Sequence, residues 1–318
     1  MQKIIGLKAA LLFSLTIIIA FESCKKKEDD PISEYSLGKN RFTTTVNGDT
    51  REYYVHVPTN YNSNTATPVV FMLHGTSGDG DKFYNISGWK EVGEAEGIIT
   101  VFPSSWHYCI IEDGQTLNTT KWNIYPAGYV YCNGETPRDD IAFLRQIITE
   151  IKSKLSVDEK RIYLVGFSAG GQMAFRCGVE MSDVLAAVIA NAGTFFSDTT
   201  LVPFRNLPIA FQLGNEDDRY FTSPAPLSGL EYALNNVPIF QNIVHSHLST
   251  FQYSPNYTIS GDTNTAVIAT YPPIPPSENR SFGMVLVKDL AHEYPNGSNH
   301  WMKGAEQHWD WLKQYSLP

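Results

Sequence analysis

Val165-Gly166-Phe167-Ser168-Ala169-Gly170-Gly171 is the stretch on which the reading of this chain turns. The run before it, Arg161 to Val165, is short, apolar and rich in β-branched residues, as a buried parallel strand is. The run after it, Gln172 to Glu180, predicts a helix. Strand, Gly-x-Ser-x-Gly, helix is the sequence form of a nucleophile elbow, a strained turn that presents a serine hydroxyl above a sheet. Two backbone arms pass close together in such a turn, so the neighbours of the serine must be small. Gly166 and Gly170 meet that need, and Gly171 lets the helix approach the sheet. Ser168 is therefore the candidate nucleophile.

Outward from the elbow the chain alternates strands and helices. Arg41 to Val46 and Arg51 to Val57 read as a hairpin on Asn47-Gly48-Asp49. Val69 to Leu73 and Ile98 to Phe102 read as buried strands, with a helix from Gly88 to Glu96 between them, closed by Gly97. Asp139 and Asp140 are expected to cap an amphipathic helix, Ile141 to Leu155. Beyond the elbow helix, Leu185 to Ala190, Pro208 to Leu213 and Ser281 to Val287 are further strands, and a helix from Asn299 to Tyr315 closes the chain. This order predicts an α/β fold with a mostly parallel, doubly wound sheet and helices on both faces. Two stretches break the rhythm. Residues 104–137 are aromatic and irregular and are expected to contact substrate. Tyr220 to Arg280 is rich in Pro and Asn and is expected to build one wall of the cleft.

A serine hydroxyl needs a base to take its proton, and the base needs an acid group to hold its tautomer. In an open α/β sheet such groups stand at the C-terminal ends of strands. Of the eight histidines, His292 alone sits in the loop at the end of the last strand, in the order Ser, acid, His. His74 comes before the elbow, His245 and His247 lie in the irregular region, and His300 and His308 fall in the closing helix. For the acid, Asp217 follows the preceding strand, with Asp218 as its competitor and Asp289 as a third option. The oxyanion of an acyl-transfer intermediate needs backbone donors. The Ala169 N–H is one. The Thr76 N–H, in His74-Gly75-Thr76 after an earlier strand, is the other, with the His74 ring bonded within that loop rather than moving protons.

The chain has 318 residues, 42% of them hydrophobic, enough for one catalytic domain with a large core. A formal charge of -9 leaves no basic stripe for nucleic acid. No Cys/His pattern has metal-ligand spacing. At the N-terminus Lys3 and Lys8 precede an apolar run, Ala9 to Phe21, too short to span a bilayer comfortably. Phe21-Glu22-Ser23-Cys24 follows, then Lys25-Lys26-Lys27-Glu28-Asp29-Asp30. This segment resembles a bacterial lipoprotein signal, in the tolerant form common in Bacteroidetes. The resemblance implies a signal peptide over 1–23, lipidation of Cys24, a tether over 24–38, a catalytic domain over 39–318, and an outer-membrane location in a Gram-negative cell. An ordinary secretory peptide with an incidental cysteine is the alternative. An exported chain meets an oxidising compartment, and Cys109 and Cys132 share one loop-like region, so a bridge between them fits. Cys177, inside the elbow helix, reads as a buried small hydrophobe.

The pieces also assemble into a family pattern. Val46-Asn47-Gly48, Arg51-Glu52-Tyr53, Leu73-His74-Gly75, Gly88-Trp89, Phe102-Pro103, Asp139-Asp140, Arg161-Ile162-Tyr163, the elbow, Gly214-Asn215-Glu216-Asp217 and His292-Glu293-Tyr294-Pro295 occur in this order. Together they resemble the polyhydroxybutyrate depolymerase and feruloyl esterase family, α/β-hydrolases grouped with carbohydrate esterase family 1, over about residues 40 to 315. The resemblance implies a Ser168-His292-Asp217 triad, ester hydrolysis through an acyl-enzyme, and no cofactor. It implies a feruloyl or acetyl ester on plant polysaccharide as substrate, or a polyester as the alternative. In the aromatic loop Trp106 and Trp122 are the candidates to pack against the acyl group, with core packing as the alternative for either. Leu213 and Tyr294 stand where the family usually has other residues, which leaves the substrate class open. The rival from another class is a non-catalytic glycan-binding lipoprotein on a hydrolase fold.

Overall fold

The computed structural model describes residues 35–112, 114–124, 129–193, 202–275 and 278–318. The expected signal peptide, Cys24 and the tether up to residue 34 lie outside the described residues. In chain order the elements are β1 (Gly38–Val46), β2 (Asp49–Val57), β3 (Thr67–Leu73), α1 (Gly80–Ile86), α2 (Trp89–Glu96) and β4 (Ile99–Pro103). Then come β5 (Trp106–Glu112), β6 (Gln115–Lys121), β7 (Val130–Tyr131), α3 (Asp140–Lys154), β8 (Val157–Phe167) and α4 (Ala169–Glu180). The last group is β9 (Ala187–Asn191), β10 (Ile209–Gly214), α5 (Leu230–Asn236), α6 (Pro238–Phe251), β11 (Thr258–Asp262), β12 (Ala266–Tyr271), β13 (Phe282–Val287) and α7 (Gly304–Leu312).

Among the described residues a ten-stranded sheet runs β1-β2-β4-β3-β8-β9-β10-β13-β12-β11. Its middle, from β4 to β13, is parallel throughout. An antiparallel pair flanks each side. At one edge β1 and β2 join through Asn47 and Gly48, both at positive φ, 51° and 91°, as a two-residue hairpin turn requires.

The period of two along each central strand sends alternate side chains into two separate cores. Val69, Phe71 and Leu73 of β3 and Ile162 and Leu164 of β8 pack with α3, α4 and α6. Val70 and Met72, Tyr163 and Val165 face the other way, toward α1, α2 and α7. Both faces are covered, which is why these strands read as unbroken apolar runs. Tyr35 belongs to the first core, with its hydroxyl 3.1 Å from that of Tyr53, so packing begins upstream of the expected boundary at 39.

Three stretches differ from the sequence expectation. Residues 104–137 hold a second sheet, β6-β5-β7, with Cys109 and Cys132 joined by a disulfide. Between Tyr220 and Arg280 lie α5, α6 and the β11–β12 hairpin that widens the main sheet. The closing helix is shorter than expected, because residues before Gly304 form a loop. Asp139 caps α3 as expected, accepting from the Ala142 N–H at 2.9 Å. Asp140 does not act as a second cap. It is fully buried, bonds Arg51 at 2.6 Å, and accepts from the Asn123 N–H at 2.6 Å.

That Arg51–Asp140 pair ties β2 to the start of α3 with both side chains buried from bulk solvent. Removing one partner leaves the other charge buried and unpaired, at a cost of about 3–5 kcal/mol. Asp140→Ala is expected to lose that much stability in urea unfolding; a loss under 1 kcal/mol would show that the pair does not hold the fold.

Candidate active site

Ser168 sits at φ 54°, ψ −118°, a conformation that costs a non-glycine residue about 1–3 kcal/mol. The packing around the turn maintains it. A Cβ on Gly166 would lie 1.9 Å from the Gly170 carbonyl oxygen. One on Gly170 would lie 2.4 Å and 2.5 Å from the Leu73 and His74 carbonyl oxygens, and one on Gly171 would meet Asn191 O at 2.7 Å. Only glycine fits at these three positions. Serine at a helix start commonly turns its hydroxyl back onto the helix amides. Here Ser168 precedes α4 without such a bond, and its Oγ lies 3.0 Å from His292 Nε2 instead.

His292 Nδ1 lies 2.7 Å from Asp217 Oδ2. Asp217 is fully buried, and its Oδ1 accepts from the Arg219 N–H at 3.1 Å, which fixes the carboxylate plane. Asp218 is exposed, and the Asp289 side chain pairs with Lys288 at 3.3 Å, so neither competes at the imidazole. The three groups come from loops after β8, β10 and β13, at one edge of the parallel sheet. The two distal loops are locked together. Asn215 Oδ1 accepts from the Asp289 N–H at 2.6 Å, Glu216 N–H donates to Leu290 O at 3.0 Å, and a Cβ on Gly214 would lie 1.9 Å from that same oxygen. The Phe167 ring lies 5.2 Å from that of His292 and backs it. Asn215 and Phe167 were not singled out from sequence; an amide beside an expected acid and an aromatic inside an elbow carry no signal of their own.

Gly75 abuts the nucleophile, since a Cβ built on it would lie 3.1 Å from Ser168 Cβ. The loop that carries the Thr76 N–H therefore lies against Ser168. Ala169 is the first residue of α4, where the N–H has no partner within the helix. Trp122 does not line a cleft. It is wholly buried in the first core, where its Nε1 donates to the His74 carbonyl at 2.8 Å and its ring lies 5.1 Å from that of His74. Trp106 is half-buried, with the Arg138 guanidinium 4.7 Å from its ring centre. Among the described residues no group of three or more His, Cys, Asp and Glu side chains is placed to hold a metal ion.

Three other imidazoles are buried and neutral. Desolvation pulls His74 and His247 down to about 4 and His308 to about 3. His308 bonds the Tyr294 hydroxyl at 2.9 Å and Gln212 at 3.1 Å. Cys177 is buried and free, and burial pushes its thiol up.

A parallel sheet with a strained serine at one strand end, and a histidine and a carboxylate at the next loops, defines an α/β-hydrolase. The chain belongs to the esterase family: residues 44–238 match the family model described as "Esterase: Putative esterase". It is 26% identical over 277 residues to a feruloyl esterase B of Piromyces equi, covering 84% of this chain and 46% of that protein. It is 27% identical over 188 residues to a poly(3-hydroxyalkanoate) depolymerase C of Paucimonas lemoignei, covering 59% and 40%. Among solved structures it is similar in fold to an acetyl xylan esterase from Aspergillus awamori, with a TM-score of 0.57 at 15% identity, covering 86% of this chain and 99% of that one. The chain spans 22% to 58% of the length of the first curated relatives it matches.

The buried imidazoles make stability depend on pH. Below the ordinary value of 6.5 the unfolded chain takes up protons that the folded chain refuses, so stability falls as pH drops. Each such histidine contributes about 1.4 kcal/mol per pH unit between 6.5 and its folded value. Urea unfolding at pH 7, 6 and 5 is expected to show the decline, and His308→Gln to make it shallower; a flat profile would contradict neutral burial.

Proposed function

We propose that this protein is a serine esterase that hydrolyses carboxylic esters with Ser168 as nucleophile, His292 as base and Asp217 as the group that orients it. The observation that carries the reading is the continuous relay from Ser168 Oγ through His292 to buried Asp217, at 3.0 Å and 2.7 Å. In this reading His292 Nε2 takes the proton as Ser168 attacks the ester carbonyl. Asp217 accepts the Nδ1–H, keeps the tautomer that leaves Nε2 free, and stabilises the imidazolium. The Ala169 and Thr76 amides receive the negative charge of the tetrahedral intermediate. His292 then returns the proton to the leaving alcohol, and a water activated by the same nitrogen releases the acid. No cofactor takes part.

The substrate proposed is a feruloyl or acetyl ester on plant polysaccharide. The similarity to feruloyl esterase B and to acetylxylan esterases, among them one from Aspergillus ficuum, supports it. The match to the poly(3-hydroxyalkanoate) depolymerase supports polyester hydrolysis as the second reading. Trp106 is the proposed contact for the acyl group. The further proposal is export and lipid anchoring through Cys24 to the outer membrane, after removal of residues 1–23. It rests on the N-terminal sequence, and no helix among the described residues is long and apolar enough to cross a membrane.

The purified full chain is expected to hydrolyse methyl ferulate or acetylated xylan. Ser168→Ala should abolish turnover, Asp217→Asn should lower kcat by about 10⁴-fold through the wrong tautomer, and Asp218→Asn should leave it within about twofold. Activity on polyhydroxybutyrate alone would select the polyester reading. A wild type that neither hydrolyses an ester nor reacts with a fluorophosphonate would overturn the enzyme assignment. For the anchor, cells fed an alkyne fatty acid should label the wild type and not Cys24→Ala.

A further inference from the structure

Tyr294 follows His292 by two residues and takes no part in the proton relay, yet its side chain is buried. It points into the core on the α7 side of the sheet. There the Trp89 Nε1–H donates to its oxygen at 3.0 Å, and His308 Nδ1 lies 2.9 Å from that oxygen. His308 Nε2 in turn lies 3.1 Å from Gln212 Oε1. Gln212 is buried on β10, the strand that leads to Asp217. Its register partner on β9 is Asn191, and register partners on neighbouring parallel strands turn their side chains to the same face. Asn191 donates from Nδ2 to the Gly166 carbonyl at 3.0 Å, and its own backbone carbonyl accepts from the Ser168 N–H at 2.8 Å. One run of side chains therefore leads from the loop of His292, past the strand of Asp217, to the backbone of the elbow.

One step of that run is unspent. Gln212 Nε2 and Asn191 Oδ1 are both buried, and neither has a hydrogen-bond partner among the described residues. A buried polar atom left so costs about 1–3 kcal/mol. Here a donor and an acceptor stand side by side, and joining them removes both costs. The donor senses agree with this along the whole run. A backbone carbonyl can only accept, so Asn191 turns its amide nitrogen to Gly166 and leaves Oδ1 for β10. Gln212 then shows its nitrogen to Asn191 and its oxygen to His308, which puts the imidazole proton on Nε2. Nδ1 is left to accept from the Tyr294 O–H, whose oxygen receives the Trp89 N–H.

We propose that Tyr294, His308, Gln212 and Asn191 form one directional hydrogen-bonded strap on the α7 side of the sheet, closed between Gln212 and Asn191. Tyr294 and Gln212 act in it as positioning residues that hold the His292 loop in register with Ser168. This rests on the esterase reading above. The Asn215 contact joins the His292 loop to the Asp217 loop, and the strap adds the elbow to that pair. Phe167 fills the space between, with its ring 6.3 Å from that of Tyr294 and 5.2 Å from that of His292. Proton transfer from Ser168 Oγ depends on that spacing, since small misplacements of a reacting group lower rate steeply.

Two measurements on the purified full chain test this. Nitrogen-15 NMR of the histidine rings should find His308 protonated at Nε2 and pyridine-like at Nδ1. In kinetics on methyl ferulate or a p-nitrophenyl ester, Tyr294→Phe should lower kcat by about 10-fold with KM within about twofold, and Gln212→Met should do the same. Tyr163→Phe is the control. It deletes a buried hydroxyl from the same core, one that donates to the Tyr315 carbonyl at 2.7 Å, away from the three catalytic loops. It should lower the melting temperature by a similar amount and keep kcat within about twofold. An equal loss of kcat in Tyr163→Phe would reduce the effect to stability and overturn the proposal. So would a His308 proton on Nδ1, or folded Tyr294→Phe and Gln212→Met with wild-type kcat. A wild type that hydrolyses no ester would instead defeat the esterase reading, and the His308 tautomer would still decide whether the strap closes on Asn191.

Discussion

The constraint on which the site depends is the crossing of the two arms of the elbow. With 1.9 Å between a hypothetical Gly166 Cβ and Gly170 O, the end of β8 and the start of α4 are as near as two backbones can come. That approach fixes where α4 begins, and so where its unpartnered amides point. It also holds Ser168 at positive φ, with its side chain on the outside of the turn. The strain is modest beside the packing that opposes its release, since α4 buries Met173, Ala174, Phe175 and Cys177 against the sheet. The site is thus held in place by the core, and the surface loops only complete it.

Those loops are held to one another as firmly as to the sheet. Asn215 ties the loop after β10 to the loop after β13, so the loops that carry the carboxylate and the imidazole are joined directly. His74, Trp122 and Ser77 tie the loop after β3 to the second sheet, whose β5 and post-β7 segments are joined by the Cys109–Cys132 disulfide. A catalytic arrangement tolerates errors of only a few tenths of an ångström. Both sets of bonds reach backbone groups, so that tolerance is met by main-chain geometry and not by long side chains on the surface.

How much of this could be read from residues follows from which signals are local. The elbow, the apolar central strands, the Asn47-Gly48 turn and the Asp139 cap are all local, and each lies in the structure where its pattern puts it. Ser168, Asp217 and His292 come together because strand-end positions in a parallel sheet converge; chain order points to the serine and the histidine but leaves Asp217 beside Asp218 and Asp289, and only the contact at the imidazole separates them. The second sheet was not legible. β6 carries Gln115, Asn118 and three threonines with little alternation, because Gln115 to Asn118 are exposed on both faces of the strand. α5 and α6 were hidden by Asn235, Asn236 and Pro238, which mark the break between two helices and read as a single irregular run. Trp122 and Asp140 depart from a role at the acyl group and a role as helix cap for a shared reason. Burial of an indole or a carboxylate is decided by distant partners, His74 O and Arg51, that no local window contains.

His56 shows why geometry rather than residue type defines the site. Its Nδ1 lies 2.9 Å from the Tyr84 hydroxyl and its Nε2 2.7 Å from Glu94. It has a carboxylate on one nitrogen and a hydroxyl on the other, as His292 does. It lies inside an antiparallel strand, however, and its hydroxyl partner is a phenol that burial holds above its usual range. That oxygen belongs to a tyrosine inside α1 and not to a strained turn at a strand end. His74, with two backbone partners, and His308, held between Tyr294 and Gln212, complete the contrast. One side chain serves as a strut, a loop clamp and a core hydrogen-bonder in this fold. At the C-terminal ends of the parallel strands it meets both Ser168 Oγ and the buried Asp217 carboxylate, the arrangement on which its proposed role as a base rests.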